Sequence, residues 1–387
     1  MAPTPVYLDN AASTRPADEV VRAMAEASAR WYANPSSAHA EGAAAARALE
    51  EARAAVLAAL GTDTGQLIFT GGGTEANALG MLGAAALARG RHVVASAIEH
   101  AAVLRNAEKL AMERGFELST PLPDIATGVV AVADVVARLR RDTAVVALML
   151  VNNEVGTLQP VAELARALGT FAAREGIRRP HLHVDAVQAF GQLPLRAAAL
   201  GADSIALSAH KLHGPKGVGA LWLRPNARVA ALWDGGRQER GLRSGTENLP
   251  AIVGFGQAAA LAGAALRSGA PDRIAALRDA LEAGIRAAVP RARPTVTGGP
   301  RAPHIASVCF PKLPAEPLLH ALEARAVFVS AGSACASRTR GPSHVLKAVG
   351  VDDDTAVLRF SLSRHTTAAD VDAAVAALTA AVQEVAA

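Results

Sequence analysis

Short, nearly unbroken apolar runs such as Leu67-Ile68-Phe69 recur along the first two thirds of the chain, each ending in a glycine-rich or polar turn. Unbroken runs of this length are the pattern of strands buried on both faces, and the alanine-rich stretches between them are the pattern of covering helices. The pattern predicts strands over 66–70, 92–97, 144–151, 181–184, 204–207 and 219–223, with helices over 74–89, 101–114, 132–140 and 161–175. Strand and helix in alternation predict an α/β layer architecture with a largely parallel sheet. Past about residue 250 the character changes to a long helical run, 251–288, and then a proline- and glycine-rich break, 290–303. The remainder predicts a smaller α+β unit, with strands over 304–310, 326–330 and 356–362 and helices over 316–324, 343–349 and from 368 onward.

Composition narrows the class. Hydrophobic residues fill 51% of the chain and mean hydropathy is +0.22, but alanine inflates both figures. The most apolar stretch, 251–266, is interrupted by Gln257 and several glycines, so no membrane span is expected. The N-terminus reaches Asp9 without a basic start and apolar core, so no signal peptide is expected. Two cysteines cannot build a disulfide framework, and reduced thiols fit a cytoplasmic protein. The net charge of +4 is spread over scattered arginines with only 3% aromatics, so direct nucleic-acid binding is not expected.

Candidate chemistry gathers at strand ends. Lysine is rare in this arginine-rich chain, yet Lys211 follows the apolar run Ile205-Ala206-Leu207 within Ser208-Ala209-His210-Lys211-Leu212-His213-Gly214. An amine so placed is desolvated, which lowers its pKa and readies it to form a Schiff base with a carbonyl. Asp185 ends the preceding apolar run, His183-Val184-Asp185-Ala186-Val187-Gln188. A lysine for an aldehyde and an acid for a pyridine nitrogen are what pyridoxal phosphate requires. For either residue alone, a surface lysine or a strand-end cap remains the alternative. Gly71-Gly72-Gly73-Thr74-Glu75 gives a turn into a helix start whose amides and hydroxyl suit a phosphate. Asn152-Asn153-Glu154-Val155-Gly156 and Ser96-Ala97-Ile98-Glu99-His100 follow two further strands. Cys335 sits among small residues in Ser330-Ala331-Gly332-Ser333-Ala334-Cys335-Ala336-Ser337-Arg338, a loop that neither shields nor pins a thiolate, whereas Cys309 falls in an apolar strand and reads as core. Arg359, on a strand, suits either a carboxylate or a structural salt bridge. The alternative without a cofactor is a metal site built from His181, His183, His210 and His213.

Taken in order, these segments resemble the cysteine desulfurases of the nitrogen-fixation and iron–sulfur-assembly type, within the class V aminotransferase branch of the fold-type I pyridoxal phosphate enzymes. The likeness extends through Tyr7-Leu8-Asp9-Asn10-Ala11-Ala12, Asn34-Pro35-Ser36-Ser37-Ala38-His39, Gly72-Gly73-Thr74-Glu75-Ala76-Asn77 and Arg243-Ser244-Gly245-Thr246-Glu247-Asn248. The resemblance implies a large domain (16–255) with a mixed, mostly parallel seven-stranded sheet. It also implies a small α+β domain (256–387) that carries the cysteine loop, with residues 1–15 packed against it. It implies that Lys211 holds the cofactor and later moves the Cα proton, that Asp185 pairs with the pyridine nitrogen, and that Gln188 and Asn153 bond around the ring oxygen. His100 would stack on the ring as an acid–base group. Gly73, Thr74, Ser208 and His210 would hold the phosphate, and Thr246 would reach the cofactor of a second subunit in a homodimer. Arg359 and Asn34 would bind the carboxylate of L-cysteine, and Cys335 would accept its sulfur as a persulfide for delivery to a sulfur-acceptor protein. A selenocysteine lyase or another β-lyase of the same class remains the alternative.

Overall fold

The computed structural model describes residues 5–332 and 343–386; the loop around Cys335 lies outside the described residues. Across the central seven-stranded sheet the strands run Gln66–Thr70, Gly219–Leu223, Ser204–Ser208, His181–Asp185, Thr143–Ala147, His92–Ala95, Glu117–Ser119. Gly219–Leu223 is antiparallel to both its neighbours, and the other adjacent pairs are parallel, so the sheet is mixed and mostly parallel as expected. The strands are mostly apolar because both faces are covered, and buried polar residues among them, such as His183 and Ser204, are hydrogen-bonded. Ile68, Val93, Val145, Ala206 and Leu221 pack toward the helices Gly73–Leu87 and Ala101–Arg114. Their chain neighbours Leu67, Val94, Val146, Ile205 and Trp222 pack on the opposite face, in the core shared with the helix Val161–Glu175.

Several expectations are corrected. The strand expected over 92–97 ends at Ala95, the helix over 132–140 ends at Val136 and the strand over 326–330 narrows to Val327–Phe328. The continuous helical run over 251–288 is two helices, Leu249–Arg267 and Ala270–Ala288, broken where Gly269 takes a left-handed φ of 77°. The strand expected over 144–151 ends at Ala147, and the Met149 amide donates to the Glu99 carboxylate at 2.7 Å instead of to a strand. Two long helices, Asp18–Arg30 and Ala40–Ala59, were not anticipated; their alanine-rich sequences carry few large apolar residues. Both pack on Leu249–Arg267, and at Gly256 a Cβ would meet the Ala52 Cα at 2.8 Å, so glycine permits that close approach. Leu249–Arg267 is long and apolar enough to cross a membrane by length and composition, and half of it is buried here by these helices and the core.

A second core lies under the antiparallel strands Thr355–Ser361, Ile305–Pro311 and Arg293–Pro294 and the helices Ala270–Ala288, Ala315–Glu323 and Ala368–Ala386. The N-terminal segment joins it. Val6–Tyr7 pairs in parallel with Val327–Phe328, and the Asn10 side chain donates to the Ser361 carbonyl at 2.8 Å.

Candidate active site

Beyond the carboxyl ends of the parallel strands, facing the second core, lies a cavity of about 270 Å³. Asp185 reaches it from the end of His181–Asp185, Ser208 from the end of the adjacent strand, and Gly73 and Thr74 from the start of Gly73–Leu87. His100, Asn153, Gln188, His210, Lys211 and Arg359 complete the expected residues that line it.

Asp185 is 5% exposed, and both its oxygens are engaged. The Asn77 amide donates to Oδ2 at 2.7 Å and the Val187 backbone N–H to Oδ1 at 2.9 Å. Each oxygen keeps a lone pair for a further donor, so the carboxylate is fixed in orientation and able to accept from a protonated ring nitrogen.

The far end of the cavity is built for an anion. Gly73 opens the helix Gly73–Leu87, and a Cβ there would meet Val187 Cγ2 at 2.9 Å and Ser208 Cβ at 3.3 Å, so the bare backbone lets the turn sit against the strand end. Thr74 is in the first turn, where backbone amides and the helix dipole favour negative charge. Ser208 Oγ is buried without a hydrogen-bond partner among the described residues, an orphaned donor that a phosphate oxygen would satisfy. Burial, with the Lys211 and Lys216 charges, pushes the His210 imidazole down to about 4, and its Nδ1 lies 3.2 Å from Ser13 Oγ. These residues fit pyridoxal phosphate in both halves: an acid where a pyridine nitrogen belongs and a donor cradle where a phosphate belongs.

Lys211 closes a short 3₁₀ turn, Ala209–Lys211, and its Nζ donates to the Ala11 and Ala12 carbonyls at 2.6 and 2.7 Å. Lys216, five residues on, is exposed. Gln188 Nε2 donates to the same Ala11 carbonyl at 2.9 Å, so the N-terminal segment forms one wall. His100 caps the helix Ala101–Arg114, with Nδ1 accepting the Ala102 N–H at 3.1 Å. Burial, with the Lys211 and His344 charges and against the pull of Asp185, lowers its pKa and so favours the neutral ring, whose proton belongs on Nε2 because Nδ1 accepts the Ala102 N–H. Arg359, 1% exposed, donates through Nη1 to the Asn153 carbonyl and through Nη2 to Asp9 Oδ1, each at 2.8 Å. The structural salt bridge is therefore present, on a guanidinium that also lines the cavity.

Other expected residues are not brought into the cavity. Asn34 and Thr246 are exposed and do not line it, and Cys335 is outside the described residues. Cys309 is buried in its strand, its Sγ 3.5 Å from Thr295 Oγ1, and burial raises its thiol pKa. Among the described residues no group of three or more histidines, cysteines or carboxylates converges as a metal site. His181 and His183 instead share Ser204, and His213 Nδ1 lies 2.9 Å from the Arg15 carbonyl.

Sequence reasoning missed Asn77 and Glu75. Asn77 is the lone amide in an otherwise apolar helix interior, one turn beyond Thr74, and that spacing on one face was the available signal. Glu75 accepts the Gly71 N–H at 2.7 Å and Arg243 Nε at 3.0 Å, which ties the glycine turn to the segment that carries Thr246.

A model of the family described as aminotransferase class-V matches residues 6–374. The chain is similar to a cysteine desulfurase of Cereibacter sphaeroides, 43% identical over 95% of this chain and 93% of that protein. It is also similar to the cysteine desulfurase NifS of Azotobacter vinelandii, 40% identical over 95% of this chain and 90% of that protein. Among solved structures, one titled a NifS-like protein superposes with a TM-score of 0.90 at 34% identity, covering 98% of this chain and all of the other. The chain belongs to the class-V aminotransferase family.

Proposed function

We propose that this protein is a pyridoxal phosphate-dependent cysteine desulfurase that converts L-cysteine to L-alanine and passes the sulfur to an acceptor protein through a persulfide on Cys335. The observation that carries the reading is one cavity that sets Lys211, the doubly held Asp185 carboxylate and the unpartnered Ser208 hydroxyl around a common space. The names of the similar proteins favour the desulfurase over a selenocysteine lyase.

When bound, the cofactor supplies an electron sink for negative charge developing at the substrate Cα and Cβ. Asp185 would keep the ring nitrogen protonated. Ser208, Thr74, the Gly73 amide and His210 would hold the phosphate, and Asn153 and Gln188 would bond the ring oxygen. Arg359 holds the substrate carboxylate, sharing its guanidinium with Asp9. Lys211 would hold the cofactor's aldehyde and, once the substrate amine is in place, would be the base that moves the Cα proton. His100, which lines the cavity, would cover one face of the ring and present its Nε2 proton as an acid–base group. The Cys335 thiolate bonds to the substrate sulfur while the C–S bond breaks. That electron pair stays on the carbon, which is protonated to alanine, so L-cysteine and one thiol give L-alanine and one persulfide with no outside oxidant.

The exposure of Asn34 and Thr246 fits a homodimer in which Thr246 reaches the cofactor of the partner subunit. Two cysteines, too few for a disulfide framework, fit a cytoplasmic location. The test is borohydride reduction of the yellow protein followed by peptide mapping. The phosphopyridoxyl group is expected on Lys211; finding it on Lys216 or Lys109 would overturn the site.

A further inference from the structure

The Asp185 carboxylate is the last member of a hydrogen-bond chain that begins at His181, four residues earlier on the same strand. His181 Nε2 lies 2.7 Å from Ser204 Oγ, Ser204 Oγ lies 2.8 Å from His183 Nδ1, His183 Nε2 lies 2.9 Å from Asn77 Oδ1, and Asn77 Nδ2 lies 2.7 Å from Asp185 Oδ2. His183 and Ser204 are both 0% exposed and Asn77 is 1% exposed, so water does not substitute for any link between them.

The direction of every bond follows from its end. A carboxylate only accepts, so Asn77 must turn its NH₂ to Asp185 and its carbonyl oxygen to His183. His183 then carries its proton on Nε2. Burial pushes His183 down to about 3, so the imidazole is neutral and Nδ1 is a bare acceptor for the Ser204 hydroxyl proton. Ser204 Oγ in turn accepts from His181 Nε2. Reversing Asn77 would set its carbonyl oxygen against the carboxylate and its NH₂ against the His183 N–H, which leaves two buried clashes.

The helix that supplies Asn77 also makes room for the ring. At Gly80, one turn on from Asn77, a Cβ would lie 2.4 Å from His183 Nδ1 and 2.5 Å from Cε1. Glycine is disfavoured in a helix interior, and this contact accounts for its presence here.

The geometry points to His183 as a positioning residue that locks the Asn77 amide in the one orientation able to hold Asp185 against the cofactor's ring nitrogen, with Ser204 fixing the tautomer and Gly80 the ring's place. The inference rests on the proposed cofactor, and its tests separate the two. In the protein stripped of cofactor, ¹⁵N spectra of His183 should show the neutral Nε2–H tautomer; an Nδ1–H or doubly protonated ring would overturn the relay whatever the protein binds. Titrating pyridoxal phosphate back should give a dissociation constant about tenfold higher in His183→Phe and in Gly80→Ala, which keeps every polar group. His183→Gln, whose amide nitrogen can replace Nε2–H, should restore it to within about twofold of wild type. In an Asp185→Asn background the His183→Phe penalty should vanish, because the group being held is gone. Folded His183→Phe with wild-type affinity, or an equal penalty with and without Asp185, would reduce His183 to a packing residue. If the wild type itself takes up no pyridoxal phosphate, the proposed function fails while the tautomer still reports on the relay.

Discussion

Asp185 and Ser208 end neighbouring parallel strands and border the same cavity, yet they are opposites in how they are held. Each Asp185 oxygen receives a protein donor, and the amide that supplies one of them is held from behind by His183. Ser208 Oγ, equally buried, has no partner among the described residues. A hydroxyl left unmatched costs about 1–3 kcal/mol, a penalty that a phosphate oxygen at this end of the cavity would relieve. The difference separates two jobs. On the proposed function, the Asp185 end holds a charge in a fixed orientation, and the Ser208 end offers donors to an entering phosphate.

The sharpest break of this contrast removes the group between the two ends. Lys211→Ala should abolish turnover of L-cysteine and the borohydride-stable label, while Lys216→Ala, on the exposed side of the turn, should keep both. Asp185→Asn should still bind the cofactor but lose most of the electron sink. Opposite charges in contact shift a pKa by about 1–3 units, so turnover at saturating cysteine should fall on the order of 100-fold, and near-normal turnover would make the acid structural only. Ser208→Ala should act on entry instead: the cofactor dissociation constant should rise about 10-fold, for one lost hydrogen bond to a charged group, with turnover of the loaded enzyme little changed.

The smallest effect concerns Glu99, fully buried behind His100. Its Oε1 accepts Ser96 Oγ–H at 2.6 Å and Met149 N–H at 2.7 Å, and its Oε2 has no partner among the described residues. Burial pushes its carboxyl up to about 8 from an ordinary 4.5. A raised folded-state pKa means the protonated form is favoured on folding. Its contribution to stability is therefore complete below about pH 4.5 and is lost as pH rises through about 8. Glu99→Gln, neutral throughout, should flatten that part of the curve of melting temperature against pH. A variant curve parallel to wild type between those limits would show that Glu99 ionises freely.

How much of this was legible in the sequence depended on how local the cause was. Gln66–Thr70, Ala101–Arg114, Val161–Glu175 and Gly219–Leu223 have the expected bounds, because runs such as Leu67-Ile68-Phe69 and flanking turns define them within a few residues. The helix Ala40–Ala59 was hidden because small residues, not a large apolar stripe, pack it on Leu249–Arg267, and Asp18–Arg30 because its apolar stripe is only a few residues such as Val20 and Met24. Lys211, Asp185 and Ser208 were legible because each follows an apolar strand. Asn77, His183 and Gly80 gave no such signal: their roles exist only once a helix and a strand about 100 residues apart are placed side by side, as the separation of 106 between His183 and Asn77 shows. The Asp9 partner of Arg359, 350 residues away, was hidden for the same reason.

The central claim is that substrate sulfur passes to Cys335, and alanine formation from L-cysteine by Cys335→Ser tests it most directly, with the mass of the Cys335 peptide read from wild type trapped without reductant. The expected result is a yellow variant that binds L-cysteine but releases only a trace of alanine, a wild-type peptide carrying one extra sulfur, and Cys309→Ser behaving as wild type. Alanine released by Cys335→Ser at the wild-type rate would contradict the persulfide mechanism and make the protein a lyase of the same family.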